Sequence, residues 1–175
     1  RLPADLNAAV FIVQHMPRTF IAPFTRRMAS RTRLECHVGV PGERVVPGVI
    51  YVAEGENHLA LSGKGGDLLI KHDLEPKTLF VPSVNVTMQS VAEKFCHRSI
   101  GVVLTGMGND GAQGIRMIRE HGGYTIAESP KTAVVYGMPQ EAVKTGAVVA
   151  TLPLTEIPEK IKQVVEEMAV CERII

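Results

Sequence analysis

The sequence predicts an α/β fold, doubly wound, with a mostly parallel sheet, helices on both faces and an antiparallel hairpin excursion. Three observations carry this expectation. Residues 8–13 and 100–104 are apolar runs of strand length without polar alternation, the pattern of strands buried on both faces. Each run leads into a segment whose apolar residues recur at helical spacing. Between Pro41 and His72, in contrast, Gly42, Gly48, Gly55, Gly63, Gly65 and Gly66 punctuate short runs in the manner of hairpins.

Taken in order, the strand at residues 8–13 ends at His15-Met16-Pro17. Thr19 is then placed to cap a helix with Phe20, Phe24 and Met28 inward, joined by Ile21, and its arginines on the opposite side. Runs at 49–52, 58–61 and 68–70 read as hairpin strands. Residues 85–95 give a helix with Val86, Val91 and Phe95 inward, and 100–104 a second buried strand. A helix over 110–120 is stopped by Gly122-Gly123. A strand at 124–127, a short helix at 139–144, a strand at 148–152 and an amphipathic helix at 157–168 complete the alternation, with Pro158 suited to the first turn of the last helix. Repeated strand–helix units imply right-handed crossovers between parallel strands.

The 175 residues, 45% of them hydrophobic, are enough for one ordinary core, so a single domain over 1–175 is expected. Nineteen basic and 18 acidic side chains nearly cancel, which does not favour nucleic acid as a partner. The small basic cluster of Arg26, Arg27, Arg31 and Arg33 reads as a solvated helix face. Cys36, Cys96 and Cys171 are odd in number and lack C-x-x-C spacing, so neither a disulfide framework nor a zinc site is indicated and a reducing cytoplasm fits. No apolar run approaches the roughly 18 residues of a membrane span, and no signal-peptide pattern is present, so a soluble protein without direct membrane insertion is expected. H-E-x-x-H is absent as well, and no metal or cofactor is expected. The first residue is Arg1 rather than Met, close to an apolar strand, which is expected of a piece cut from something longer.

The segment Leu104-Thr-Gly-Met-Gly-Asn-Asp-Gly-Ala-Gln-Gly114 puts a carboxylate, Asp110, in a glycine-rich turn between a strand and a helix. Three readings compete. Asp110 can be the N-cap of the following helix. Gly106, Gly108 and Gly111 also spell G-x-G-x-x-G in a strand–turn–helix setting, with Glu128 near the end of the next strand for a ribose. Against this dinucleotide reading, a carboxylate just before the third glycine would repel a pyrophosphate. In the third reading Asp110 orients an imidazole.

His15 is the strongest partner for that role. Pro17 keeps Met16 extended, so the imidazole leaves the sheet edge in a defined direction, and ligands of open α/β sheets bind beyond the carboxyl ends of strands. His58, after the Glu54-Gly-Glu-Asn turn, is a second candidate to face the same crevice. His37, His72, His97 and His121 carry no metal-ligand spacing. An Asp–His pair calls for a nucleophile, yet none of Ser30, Ser62, Ser83, Ser90, Ser99 and Ser129 stands in G-x-S-x-G. Ser83 is the least unlikely of them, and capping the helix that follows is its better reading. Cys36 has no activating motif nearby.

The run Val13-Gln-His-Met-Pro17, with Phe20 and the helix after it, and Leu104-Thr-Gly-Met-Gly-Asn-Asp-Gly-Ala112 together resemble the catalytic domain of the chemotaxis protein-glutamate methylesterases, the CheB family. Gly42-Glu-Arg-Val45, Pro47-Gly48, the Tyr51–His58 stretch, Pro82-Ser-Val84, Ser90-Val-Ala92 and Tyr136-Gly-Met-Pro-Gln-Glu-Ala142 extend the likeness over most of the chain. The resemblance implies a carboxylic ester hydrolase of Ser-His-Asp type, with His15 and Asp110 as triad members and the Met107 backbone N–H as an oxyanion donor. His58 and Met138 are carried as candidate substrate-facing positions. The family's serine lies in a Gly-Ala-Ser-Thr-Gly-Gly turn, expected upstream of Arg1. The implied substrates are glutamate γ-methyl esters on chemoreceptor cytoplasmic helices, with glutamine deamidation in related members, and the implied partner domain is a receiver domain. Where many relatives show Arg-Pro-Ser-Val-Asp, this chain has Val81-Pro-Ser-Val-Asn85 and so lacks two charges. A non-catalytic docking module on the same scaffold is the alternative from another class.

Overall fold

The structure, a computed structural model, describes residues 1–171, of which Cys171 is described in its backbone only. The chain divides into two compact units, residues 1–90 and 91–175.

In the first unit, β1 (Val10–Ile12), β2 (Glu35–Val38) and β3 (Val49–Val52) form a parallel sheet in the order β1-β3-β2, and α1 (Arg18–Ala29) connects β1 to β2. All four residues of β3 are buried, as a central parallel strand with both faces covered requires. Residues 49–52 therefore belong to the parallel sheet and not to the hairpin region where their flanking glycines had placed them. β2 has no counterpart in the sequence reading, because Glu35-Cys-His-Val38 is short and polar and its burial is supplied by β3. The hairpin itself is β4 (His58–Lys64) with β5 (Asp67–Asp73), antiparallel and in register from His58 opposite Asp73 to Lys64 opposite Asp67. Near its end β4 demands glycine at Gly63, where φ is +91° and a Cβ would collide with the Asp67 carbonyl.

Val49, Tyr51, Ala53, Leu59 and Ile70 form the core of this unit. Tyr51 is fully buried, and its hydroxyl is satisfied on both counts, accepting from the Val46 N–H at 3.0 Å and donating to the Arg44 carbonyl at 3.1 Å.

α1 is rotated from its expected setting. Its buried residues are Ile21 and Thr25, whereas Phe20 is 61% exposed and Phe24 and Met28 are only partly covered. One position along a helix turns the face by about 100°, so a four-residue spacing of apolar side chains one step out of phase misassigned the inward stripe. The N-cap is Pro17 rather than Thr19. α2 (Val84–Phe95) likewise buries Val84, Thr87 and Ala92 more deeply than the expected Val86, Val91 and Phe95.

In the second unit, β6 (Ile100–Val103), β7 (Tyr124–Glu128) and β8 (Ala150–Leu152) make a parallel sheet in that order. The connections are α3 (Ala112–Glu120) and α4 (Met138–Lys144), and α5 (Ile157–Cys171) follows β8. α3 lies close against β6 because Gly101 has no side chain; a Cβ there would come within 3.1 Å of Ile115 and 3.3 Å of Ile118, both fully buried. Gly122, at φ +85°, ends α3 as the glycine pair predicted. The expected α/β class, parallel strands with an antiparallel hairpin, is what the chain adopts. None of the described helices is long and apolar enough to cross a membrane.

Candidate active site

His15 lies three residues beyond β1 in the first unit, between the strand end and the start of α1. Pro17 at the helix N-cap has φ −57° and ψ 143°, so the chain stays extended until the helix begins, and the Pro17 carbonyl accepts the Phe20 N–H at 2.9 Å. The first helical residue, Arg18, is paired with Glu54 at 3.5 Å and with Glu56, on the loop after β3. Gly55, between the two carboxylates, has φ +105° and approaches the Arg18 Cα so closely that a Cβ would sit 3.3 Å from it. Glu54 also meets His72 Nδ1 at 2.8 Å, and the other ring nitrogen of His72 lies 3.0 Å from the Gly39 carbonyl. The half-buried His15 ring stacks on Phe80, with centroids 4.9 Å apart and planes inclined by 19°.

His58 does not face a crevice. It is fully buried, Nδ1 accepts the Ser83 N–H at 3.0 Å, and the opposite nitrogen must then carry the proton it donates to the Pro76 carbonyl at 3.1 Å. Both nitrogens thus clamp the ends of residues 76–83, and the expected substrate-facing position becomes a structural one. Ser83, 2% exposed, stands immediately before α2, where its carbonyl accepts from the Thr87 N–H and Thr87 Oγ1, each at 3.3 Å. That is the capping position its better reading gave it.

Asp110 belongs to the second unit, in the turn from β6 to α3, and is 3% exposed. The capping reading needs a correction: Gly111, at φ +100°, occupies the N-cap, so Asp110 stands one residue ahead of it. The turn is stapled to residues 134–138. Gly106 donates to the Val135 carbonyl at 3.0 Å, and its own carbonyl accepts from Gly137 at 3.1 Å and Met138 at 2.8 Å. Met138, 9% exposed, lies with its sulfur against the Gly106 backbone, where a Cβ would collide with it. Its packing is therefore onto the turn, not into solvent. Met107 is the opposite case, at the crest of the turn and 84% exposed.

Glu128 at the end of β7 was weighed only as a ribose ligand, and its surroundings exclude that role. It is fully buried, Oε2 accepts the Thr105 N–H at 2.8 Å and Oε1 accepts the Thr132 hydroxyl at 2.9 Å. No oxygen faces a ligand, and the dinucleotide reading of Gly106–Gly111 loses its second half. Thr105 in turn bonds Val135 through its hydroxyl in both directions, at 2.9 and 3.3 Å. The sequence reading considered Glu128 for that role alone and passed over Phe80. Nothing local marks either one: a glutamate ending a strand and a phenylalanine in a loop are ordinary until the fold brings their partners to them.

Among the described residues no three His, Cys, Asp or Glu side chains are placed to hold a metal ion. Cys36 and Cys96 are free thiols, and the Cys171 side chain lies outside the described residues. Burial pushes the Cys36 thiol above its ordinary value, which works against a thiolate nucleophile there.

His15 follows β1 of the first unit and the buried Asp110 follows β6 of the second, both parallel strands, and open α/β sheets bind ligands beyond the carboxyl ends of such strands. The CheB methylesterase family profile matches residues 1–161, and the chain belongs to that family. It is 44% identical over 161 residues to a protein-glutamate methylesterase/protein-glutamine glutaminase of Syntrophomonas wolfei, covering 91% of this chain and 46% of the relative. It is 40% identical over 167 residues to one of Pyrococcus abyssi, covering 95% of this chain and 45% of the relative. The chain thus spans about half the length of the curated relatives it matches. The crystal structure of the Thermotoga maritima CheB methylesterase catalytic domain superposes with a TM-score of 0.90 at 36% identity, covering 93% of this chain and 87% of that one.

Proposed function

We propose that this chain is the ester-hydrolysing part of a protein-glutamate methylesterase that converts glutamate γ-methyl esters on chemoreceptor cytoplasmic helices to glutamate and methanol. Glutamine deamidation, named for the relatives, is the companion activity. The reaction belongs to the cytoplasm and to two-component chemotaxis signalling, with a receiver domain in the parent protein. The observation that carries this reading is the agreement of His15 and Asp110 with the family's motifs at the same two strand ends that an α/β hydrolase uses.

In this mechanism the nucleophile is the serine of the family's Gly-Ala-Ser-Thr-Gly-Gly turn, which the resemblance places upstream of Arg1 and outside this sequence. It attacks the ester carbonyl while His15 removes its proton. The tetrahedral oxyanion is met by the Met107 N–H. Collapse expels methoxide, which takes the proton from His15, and water then attacks the acyl-enzyme by the same route to release glutamate. Asp110 holds the imidazole in orientation and stabilises the imidazolium. A carboxylate that is 3% exposed suits this role, because solvent screens it little.

In the complete gene product, Asp110→Asn is expected to lower the rate of methanol release from methylated receptor by about 10⁴-fold. Wild-type rates in that variant would reject the assignment.

A further inference from the structure

We propose that Phe80 is the positioning residue for the His15 imidazole, fixing the plane of the ring from one face, and that buried His58 holds the loop that presents it. This inference rests on the reading of His15 as the proton carrier. A histidine in that role must aim its two nitrogens along two lines in the ring plane, one to the nucleophile and one to the orienting carboxylate. The strand end and Pro17 set the direction of the side chain but leave the ring torsion broad. The Phe80 face removes that freedom. Centroids at 4.9 Å with planes 19° apart are a stacked pair, and tilting the imidazole about its torsion would break the contact.

Phe80 could not do this from a wandering loop. Residues 74–83 contain neither helix nor strand, and Leu79, next to Phe80, is 89% exposed. The loop is held at both ends by one side chain, His58, through the Pro76 carbonyl and the Ser83 N–H. Between them the Thr78 hydroxyl bonds the Phe80 carbonyl at 2.5 Å. A fully buried imidazole with both nitrogens engaged thereby sets the position of a phenyl ring whose face lies on a second imidazole.

The test compares His15→Gln, Phe80→Leu and Phe80→Tyr in the complete gene product with methyl-esterified receptor as substrate. The stack corresponds to about 2- to 10-fold in rate. Phe80→Leu should lower kcat by that factor with KM unchanged, Phe80→Tyr should restore kcat because it keeps the ring face, and His15→Gln should be inactive. The His15 ring-proton resonances, identified by their loss in His15→Gln, should lie upfield in wild type and move downfield in Phe80→Leu. If His15→Gln is inactive but Phe80→Leu keeps wild-type kcat, Phe80 has no positioning role and the proton-carrier reading stands. If His15→Gln retains full activity, that reading falls and this inference falls with it. Unshifted His15 resonances in the wild-type protein overturn the stack without recourse to any variant.

Discussion

The turn that carries Asp110 and the segment that carries His15 are built in opposite ways. Around Asp110 the backbone does the holding: positive φ at Gly108 and Gly111, and three main-chain hydrogen bonds between Gly106 and residues 135–138. A fully buried side-chain anchor, Glu128, also binds a backbone N–H there. Around His15 the holding is done by side chains far away in sequence: Phe80 on the ring, Glu54 and Glu56 on Arg18, and His58 behind the Phe80 loop. A site made from backbone needs glycines at set positions and therefore leaves a motif. One made from remote side chains leaves only ordinary residues.

The contrast can be broken or sharpened by substitution. The largest effect is expected from Glu128→Ala, which strips acceptors from the Thr105 N–H and the Thr132 hydroxyl in a fully buried place. A loss of about 4 kcal/mol in chemical denaturation is expected, with Glu128→Gln much milder because one acceptor survives. Equal stability of the Ala and Gln variants would show that the carboxyl group is not the anchor. His58→Ala should follow at about 3 kcal/mol, with hydrogen exchange rising in residues 74–83. Protection of that loop left unchanged in the variant would remove His58 as its clamp.

Gly137→Ala should cost about 2 kcal/mol, since the new Cβ would lie 2.7 Å from the Gly106 carbonyl oxygen and 3.2 Å from the Met107 Cα, both backbone atoms that cannot step aside. Faster exchange should appear at 104–111, and a neutral result would mean that the staple to residues 134–138 is slack. Arg18→Ala is the smallest, under about 1 kcal/mol, because its ion pairs are solvent-exposed, and the difference from wild type should shrink with added salt. A salt-independent loss would point to packing of the arginine stem on the Gly55 loop instead of charge.

Legibility followed the same division. β1 and β6 were readable because each lies in an unbroken apolar run, although β1 is half-buried throughout instead of covered on both faces, and α3 because Gly122 and Gly123 stop it. β2 was not, since Glu35-Cys-His-Val38 becomes a strand only by pairing with β3. Val49–Val52 was seen as a strand but given the wrong neighbours, as glycines on either side say where a strand ends and not which edge it joins. The inward face of α1 was set one residue out of phase, with Phe20 more exposed than the smaller Ile21, because helical spacing defines a stripe and packing against the sheet decides which stripe is buried.

At the candidate site, His15 and Asp110 were both singled out as polar residues past apolar strands, and the structure leaves His15 half-buried and Asp110 buried. His58 was misjudged as a turn histidine open to substrate, because burial depends on the loop that closes over it and Pro76 is 18 residues away. Glu128 was matched to a ribose from spacing alone, when Thr105 and Thr132 already use both of its oxygens.

By itself the sequence determined the α/β class and the glycine-built turn before α3, because these depend on periodicity or on backbone conformations open to few residues, and its motifs determined the family. Tertiary structure alone decided that Phe80 lies on His15, that His58 is a clamp and that Glu128 anchors the Asp110 turn. Those relations join residues 18 to 65 positions apart through shape and hydrogen-bond direction, and no local spacing rule encodes such a contact.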